Sequence, residues 1–239
     1  MCISRTAPLF LGLLLSASSL QAQTLPDVSG HWEGKIQIPN HELTVTVDVA
    51  RNADGAWIGS VSIPPSAIDV PLTDIAVDRQ AVRFAAGLPG RTSFEGALSS
   101  DAAAVSGTVS NAEGGVPFQL ARSGAADVKV PRPSSRLTNG FEGTWQGVLS
   151  ADGTSRRIAM KLTAAPDGTA IATLVAVDQG NQEIGVTTVL IRNDQLQLDV
   201  RSVSGRYEGT LGPDGQISGE WTEPAVRLPL VFKRAVEAR

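Results

Sequence analysis

The chain contains the same pattern of residues twice, at a nearly constant separation. Gly-His-Trp-Glu-Gly at Gly30–Gly34 recurs as Gly-Thr-Trp-Gln-Gly at Gly143–Gly147. The other landmarks recur in the same order, as Asp54 and Asp167, Phe94 and Tyr207, Val105 and Ile217, Pro117 and Pro229, and Arg122 and Arg234. Landmarks that keep their register over about 90 residues indicate two copies of one fold. We therefore predict one repeat at residues 27–123 and a second at residues 140–236.

Residues 1–22 have the features of a secretory signal peptide. Arg5 supplies the positive charge, Leu9–Leu15 is apolar, and small residues precede a predicted cleavage after Ala22. The apolar run is shorter than the roughly 18 residues that a membrane span needs. An uncleaved anchor helix is the alternative. We predict export to a bacterial periplasm, with no membrane span after cleavage.

Cysteine and charge restrict the chemistry of the exported part. The single cysteine, Cys2, lies in the leader, so the mature chain would have no disulfide, thiolate metal site or thiol nucleophile. Two domains of about 100 residues can be stabilised by core burial alone. The net charge is −4 and no basic cluster is present, so we expect no nucleic-acid partner.

Apolar and polar residues alternate along much of the chain. Leu43–Val49 and Leu196–Val200 show this period of two, which is typical of strands with one buried face. Asn52–Gly55, Pro166–Gly168 and Pro213–Gly215 have the composition of tight hairpin turns. Short strands joined by short turns favour an antiparallel up-and-down meander.

Each repeat contains eight such runs. In the first repeat they are Gly30–Ile38, Glu42–Arg51, Ala56–Ile63, Val70–Asp78, Ala81–Leu88, Arg91–Leu98, Ala104–Ser110 and Gly115–Arg122. In the second they are Gly143–Ser150, Arg156–Ala165, Thr169–Val177, Glu183–Ile191, Gln195–Val203, Gly205–Leu211, Gln216–Glu223 and Arg227–Arg234. Eight strands suffice to close a small barrel and remove its edges. We predict an all-β protein of two tandem eight-stranded antiparallel barrels; a pair of four-stranded sheets in a sandwich is the alternative. Residues 124–139, rich in proline and serine, are predicted to form a linker.

A Gly-x-Trp motif opens each repeat and an arginine closes it. This arrangement resembles the calycin barrels, the lipocalins and their relatives. The resemblance implies that a tryptophan plugs one barrel end, beneath an arginine of the last strand. It assigns structural roles to Trp32 with Arg122 and to Trp145 with Arg234. A guanidinium stacked on an indole gains a cation–π contact while its donors reach loop carbonyls.

The order of all the landmarks also resembles a non-catalytic β-barrel domain. That accessory domain precedes the catalytic domain of some exported bacterial α/β-hydrolases. The resemblance implies two hydrolase-associated modules that have no catalytic function of their own.

No catalytic pattern is found in either repeat. The Gly-x-Ser-x-Gly elbow of serine hydrolases is absent, and both histidines, His31 and His41, precede every candidate serine of the folded part except Ser29. With Glu33 and Glu42 these histidines could be imagined as a metal site, but residues flanking an inward Trp32 would face solvent. Glu95 and Glu208 each follow a core aromatic and are expected to face outward. We predict no enzyme activity, no cofactor and no metal.

Two functions from different classes are considered. We predict the first, a structural or protein-interaction module, because the short strands leave little room inside a barrel and favour a filled interior. The alternative is a lipocalin-like binder of a small apolar ligand inside a barrel. The partner is accordingly expected to be either a protein or a small apolar molecule. An open apolar cavity of roughly a few hundred Å³ would favour the ligand binder.

Overall fold

The computed structural model describes residues 27–235, with the exception of residues 89, 139 and 152. The predicted signal peptide lies outside the described residues. The described chain consists of strands and one short 3₁₀ turn, Arg201–Val203, which confirms the all-β class. No helix in these ranges has the length and apolar character needed to cross a membrane.

The first repeat is a closed barrel of eight antiparallel strands. Its strands are β1 (Gly30–Ile38), β2 (His41–Arg51), β3 (Trp57–Ile63), β4 (Ala67–Asp78), β5 (Ala81–Ala86), β6 (Thr92–Leu98), β7 (Ala104–Asn111) and β8 (Gly114–Gly124). Each strand pairs with the next, and β1 closes the barrel against β8. The predicted eight-stranded up-and-down barrel is confirmed for this repeat.

The second repeat differs from its prediction. Its strands are β9 (Gly143–Ala151), β10 (Thr154–Ala164), β11 (Ala170–Ala176), β12 (Gln182–Gly185), β13 (Thr188–Arg192), β14 (Gln195–Val200), β15 (Gly205–Leu211), β16 (Ile217–Glu223) and β17 (Val226–Arg234). They form one curled nine-stranded sheet in the order β12-β11-β10-β9-β17-β16-β15-β14-β13. The prediction of a second closed eight-stranded barrel is therefore wrong. The single strand predicted at Glu183–Ile191 is two short strands, which are the two ends of the sheet.

The break between β12 and β13 has a hydrogen-bonding cause. The Val186 amide donates to the carbonyl oxygen of Ala172 in β11, at 3.3 Å, whereas the next amide, Thr187, donates to Asp199 in β14, at 2.8 Å. Consecutive residues thus bond to opposite neighbours. The chain cannot continue one ladder through this point, because the two bonds lead to different strands.

Part of the predicted linker bonds to the edges of this second sheet. The Ser135 amide donates to the Val189 carbonyl of β13, and the Ser135 carbonyl accepts from the Ala170 amide of β11, both at 2.8 Å. Ser134 Oγ accepts from the Val189 amide at 3.0 Å, and Ser135 Oγ accepts from the Ile191 amide at 3.1 Å. Ser135 therefore bridges the gap between β11 and β13. The domain bounds themselves stay a prediction.

Each repeat has its own apolar core with aromatic side chains at its centre. In the first, the Phe94 ring stacks on Phe84 at 4.7 Å between centroids and meets Phe118 edge-on at 5.5 Å. In the second, Tyr207 meets Phe232 edge-on at 5.2 Å. The two cores form separate clusters of buried residues. Strand alternation puts these rings inside, because every second side chain faces the barrel axis.

A glycine follows two residues after the landmarks Phe94 and Val105 and after their counterparts Tyr207 and Ile217. Gly96 faces Gly107 across β6 and β7, and Gly209 faces Gly219 at the equivalent position. A Cβ on Gly107 would lie 2.0 Å from the carbonyl oxygen of Glu95. The backbones approach so closely here that neither repeat can accept a side chain at this position.

The 3₁₀ turn of the second repeat contacts the first repeat. Arg201 Nη1 donates to the carbonyl oxygen of Asp69 in β4 and to that of Lys129 in the predicted linker, each at 2.8 Å. Ser204 Oγ donates to the carbonyl of Pro65 at 3.1 Å. These bonds hold the turn beside the beginning of β4.

Candidate functional site

One end of the first barrel is closed by Trp32. The side chain is only 2% exposed, and its Nε1 donates to the Val28 carbonyl at 3.1 Å. The guanidinium carbon of Arg122 lies 4.4 Å from the indole centroid. Arg122 also donates to the carbonyls of Ala102, at 3.1 Å, and Asp27, at 2.8 Å. Arg122 thus links the segment that precedes β1 to the barrel through hydrogen bonds.

The second repeat has the same arrangement around Trp145. Its Nε1 donates to the Phe141 carbonyl at 2.9 Å, and the Arg234 guanidinium carbon lies 4.4 Å from the indole centroid. Arg234 donates to the carbonyls of Glu142, at 2.7 Å, and Gly140, at 2.6 Å. The stabilising role assigned to these four side chains stays a prediction, since it concerns energy rather than position.

The opposite end of the first barrel is open and apolar. It holds a cavity of about 860 Å³. The apolar lining residues of the first repeat include Ile36, Ile38, Leu43, Ile63, Ala67, Leu88, Val109 and Val116. Ile36 pairs with Phe118, and Val109 pairs with Phe94, so the aromatic cluster lies directly beside the cavity floor. We call this cavity the first mouth.

The equivalent end of the second repeat holds a smaller cavity of about 160 Å³. We call it the second mouth. Its lining includes Leu149, Tyr207 and Trp221, at the positions that Ile36, Phe94 and Val109 occupy in the first repeat. Trp221 is much larger than valine, and its Nε1 donates to Glu223 Oε1 at 2.8 Å, which holds the ring in place. Tyr207 and Trp221 are larger than the phenylalanine and valine at the matching positions, so they leave less space at this end.

The two mouths adjoin each other. Val203 and Glu223 line both cavities, and Ser202 lines the first mouth. All three residues belong to the second repeat, so the first mouth is completed by the other copy. The contact follows from the position of the 3₁₀ turn, which Arg201 fixes against the first repeat.

The histidines do not come together. His31 Nδ1 lies 2.8 Å from Asp48 Oδ1, and His31 Nε2 lies 3.3 Å from Glu33 Oε1. The hydrogen bond to Asp48 raises the pKa of His31 above its ordinary value. His41 lies at the other end of this hairpin, where it pairs with Ile38. Among the described residues, no group of three or more His, Cys, Asp and Glu side chains could hold a metal ion.

The acidic residues that recur at matching positions of the two repeats lie on the outer surface, whereas the aromatic residue next to each of them lies inside. Glu95 and Glu208 are exposed, as strand alternation predicts. Tyr207 is buried, with its hydroxyl 3.1 Å from the Ile217 carbonyl and 3.2 Å from the Leu230 carbonyl. Burial raises the pKa of Tyr207, so its hydroxyl stays protonated and donates.

Sequence reasoning did not find the mouth residues. Alternation places Leu43 on the inner face of β2, but does not tell whether that end of the barrel is open. Ser202 lies in a segment predicted as the end of a strand, whereas β14 ends at Val200 and the 3₁₀ turn follows. No local signal marks this turn as part of the other repeat's cavity.

No model of a known protein family matches the chain, and no curated protein matches it. A solved structure of a candidate outer membrane protein from Bacteroides fragilis is similar at 11% identity and a TM-score of 0.29, over 86% of this chain and 95% of that one. A protein of unknown function from the DUF3598 family of Nostoc punctiforme is similar at 12% identity and a TM-score of 0.24, over 87% and 96%. At these TM-scores neither similarity assigns a function or a location to this chain.

Proposed function

We propose that this protein is an exported, non-catalytic binder of a small apolar ligand, held in the first mouth. The observation that carries the proposal is the open apolar cavity of about 860 Å³ at the end of a closed barrel. Ligand sites of folded proteins commonly have volumes of about 300–1,000 Å³ and mainly apolar walls. Two expectations from the sequence are also part of this proposal: a periplasmic location and a relationship to the calycin barrels.

The walls of the first mouth favour an aliphatic ligand. Ile38, Leu43, Ile63 and Val116 are only partly buried although they pack against the core. A ligand that covers them removes both their surface and its own from water, and each buried CH₂ group is worth about 0.8 kcal/mol. The aromatic cluster beside the floor stops a chain from passing through the barrel. A ligand therefore enters and leaves by the same opening.

The absence of catalysis is also part of the proposal. Its support is chemical: the sequence has no nucleophile elbow or thiol in its folded part, and His31 is engaged by Asp48 and Glu33. A histidine held between two carboxylates on the outer surface of a barrel is far from the ligand that the mouth would hold.

An interaction module is the second candidate. The end strand β12, Gln182–Gly185, pairs with β11 and is the last strand of its sheet. A terminal strand has one edge without a ladder partner, and such edges accept strands from other proteins. The resemblance to hydrolase accessory domains, expected from the sequence, is part of this second candidate. Its partner would be a protein.

Filling the first mouth tests the ligand-binding proposal. Val109→Trp introduces the residue that the second repeat has at the same position, and should weaken binding of the fluorescent apolar probe N-phenyl-1-naphthylamine at least about tenfold. Thr108→Trp, on the exposed outer face of the same strand, is the matched control and should bind like the unaltered protein. Ile38→Phe provides a milder filling if circular dichroism shows that Val109→Trp is unfolded.

The outcomes separate the two candidates. An unaltered affinity in folded Val109→Trp and Ile38→Phe would place the probe elsewhere and contradict the site. Two results together would favour the interaction module. The protein would bind no apolar probe, and deletion of β12 would abolish the co-purification of a partner protein.

A further inference from the structure

A polar groove rich in arginine lies on the outer face of the second sheet. It has a volume of about 280 Å³. The described residues that line it come from β13, β14, β15 and the predicted linker and are Arg132, Leu190, Arg192, Gln195, Gln197 and Arg206. Arginines therefore make up half of this lining, and none of these residues is acidic. We call this cavity the arginine groove.

Strand pairing and one linker bond bring the three arginines together. Arg192 is the last residue of β13 and Arg206 lies on β15, with β14 between these two strands. Thr188 Oγ1, at the beginning of β13, donates to the Arg132 carbonyl at 3.1 Å. This bond holds the linker beside the sheet. The arginines are far apart in the chain, so only the fold makes them neighbours.

Two of the three guanidinium groups are free of an acidic partner. Among the described residues, neither Arg132 nor Arg192 forms an ion pair with a carboxylate. Arg206 is paired: its Nη2 lies 2.6 Å from Glu208 Oε1, which also accepts from Gln197 Nε2 at 2.9 Å. The groove therefore has uncompensated positive charge, contributed mainly by Arg132 and Arg192.

The cavity next to the arginine groove does not cancel this charge. It shares Arg132 and Arg206 with the groove and also has a volume of about 280 Å³. The acid in its described lining is Asp199, whose Oδ2 lies 3.2 Å from Arg201 Nε. That carboxylate is therefore already neutralised by an arginine. The excess of positive charge is local, because the chain as a whole has a net charge of −4.

The first repeat has no such groove residues at the matching positions. Arg192 pairs with Gln195 at the end of its hairpin, where the first repeat has Asp78 paired with Ala81. Arg206 pairs with Asp199, where the first repeat has Ser93 paired with Ala85. A sheet of this kind is thus built without arginine at either position. The arginines of the second repeat require an explanation other than the fold.

The chemistry of the lining favours an oxyanion that also carries hydroxyl groups. Guanidinium groups bind phosphate and carboxylate oxygens through paired N–H donors. Three arginines from three different elements match the three oxygens and the double negative charge of a phosphate group, whereas a carboxylate offers two oxygens in one plane. The carboxamides of Gln195 and Gln197 can donate to and accept from hydroxyl groups.

We propose that the arginine groove binds a small phosphorylated polyol, such as a sugar phosphate. Arg132 and Arg192 bind the phosphate group, and Gln195 bonds to the hydroxyls. A long polyanion would extend from the groove over a protein of negative net charge, which opposes its binding. The groove and the first mouth have no lining residue in common, so this site is additional to the proposed function.

Three sugars that differ in one substituent test the site in the full protein. Isothermal titration calorimetry at low ionic strength should rank glucose 6-phosphate above glucuronate, and glucuronate above uncharged glucose. Arg132→Gln combined with Arg192→Gln should weaken glucose 6-phosphate at least about tenfold, because charge-assisted hydrogen bonds are lost. If circular dichroism shows that this double variant is unfolded, Arg192→Gln alone should weaken it at least about threefold.

A control with the same change in net charge separates the site from a general charge effect. Arg83→Gln combined with Arg227→Gln removes two exposed strand arginines that line neither cavity. Its affinity for glucose 6-phosphate should change by less than about twofold, because distant surface charges are screened.

Several results would overturn the proposal. They are no measurable binding of glucose 6-phosphate, equal or tighter binding of glucuronate, and an unaltered affinity in the folded groove variant. Binding to vesicles of phosphatidylglycerol without binding of glucose 6-phosphate would assign the arginines to a lipid surface instead. Dye binding in the first mouth should be the same in all these variants, so failure of this inference leaves the proposed function standing.

Discussion

Arg122 lies over the indole of Trp32, with 4.4 Å between the guanidinium carbon and the ring centroid, and Arg234 repeats this distance over Trp145. The glycine of the Gly-x-Trp motif belongs to the same arrangement. Gly143 has a φ of +119°, and a Cβ at this position would lie 3.0 Å from Arg234 Nη1. The glycine therefore leaves room for the guanidinium, which explains why it recurs with the tryptophan and the arginine.

Truncating the buried tryptophan should destabilise its own repeat. We expect Trp32→Ala to lower the free energy of unfolding by about 3–5 kcal/mol, because a large buried aromatic is lost and a cavity remains. Trp145→Ala is the matched variant and should affect the second repeat. Denaturant unfolding followed by circular dichroism measures both. A loss below about 1 kcal/mol would show that Trp32 has no structural role.

A methyl group between the paired glycines should be poorly tolerated. Gly107→Ala would bring its Cβ within 2.0 Å of a backbone oxygen, so the strands must move apart. We expect a loss of about 1–3 kcal/mol in unfolding free energy, as for other overpacked sites. Gly87→Ala, where a Cβ meets nothing within 4 Å, is the control. Equal stability of the two variants would contradict the close approach.

The pairing of His31 with Asp48 should make stability depend on pH. The folded pKa of His31 is raised above the ordinary 6.5, so protonated histidine stabilises the fold. This contribution is complete below the unfolded pKa and is lost as pH rises through the higher folded value. Asp48→Asn should flatten the dependence. Thermal melts across neutral pH measure it; a profile unchanged by the substitution would contradict the assignment.

The bonds of Ser135 predict where the chain can be divided. Fragments 27–130 and 131–235 should each give a β-type circular dichroism spectrum and a cooperative melt, because each keeps its own core. A second fragment that begins at residue 140 lacks Ser134 and Ser135, which bond to Val189 and Ile191, and should melt at a lower temperature. Two unfolded fragments would show that the repeats depend on each other for folding.

The proposed lack of catalysis can be tested directly. The purified mature chain should show no saturable hydrolysis of p-nitrophenyl esters, β-lactams or peptides. Any trace activity should be the same in every serine-to-alanine variant, because its source would be a contaminant. Saturable turnover that one substitution abolishes would contradict the proposal.

Local sequence determined much of the architecture. The alternation along Leu43–Val49 and the turn residues at Asn52–Gly55 predicted strands and hairpins, and the structure has them at β2 and the β2–β3 connection. The repeated landmarks predicted two related units, and the glycines that follow two of these landmarks recur because the strands approach closely there. These features depend on neighbours in the chain or on an adjacent strand, so a local pattern is enough to indicate them.

Only the tertiary structure decided how the edges meet and where the cavity is completed. The alternation around Val186 does not reveal that this amide bonds to β11 while the next one bonds to β14. Nor does the proline- and serine-rich segment reveal that Ser135 bridges the resulting gap. Ser202 reaches the first mouth because Arg201 bonds to the Asp69 carbonyl of the first repeat and to the Lys129 carbonyl of the predicted linker. Each of these features depends on contacts between residues far apart in the chain, which strand periodicity does not encode.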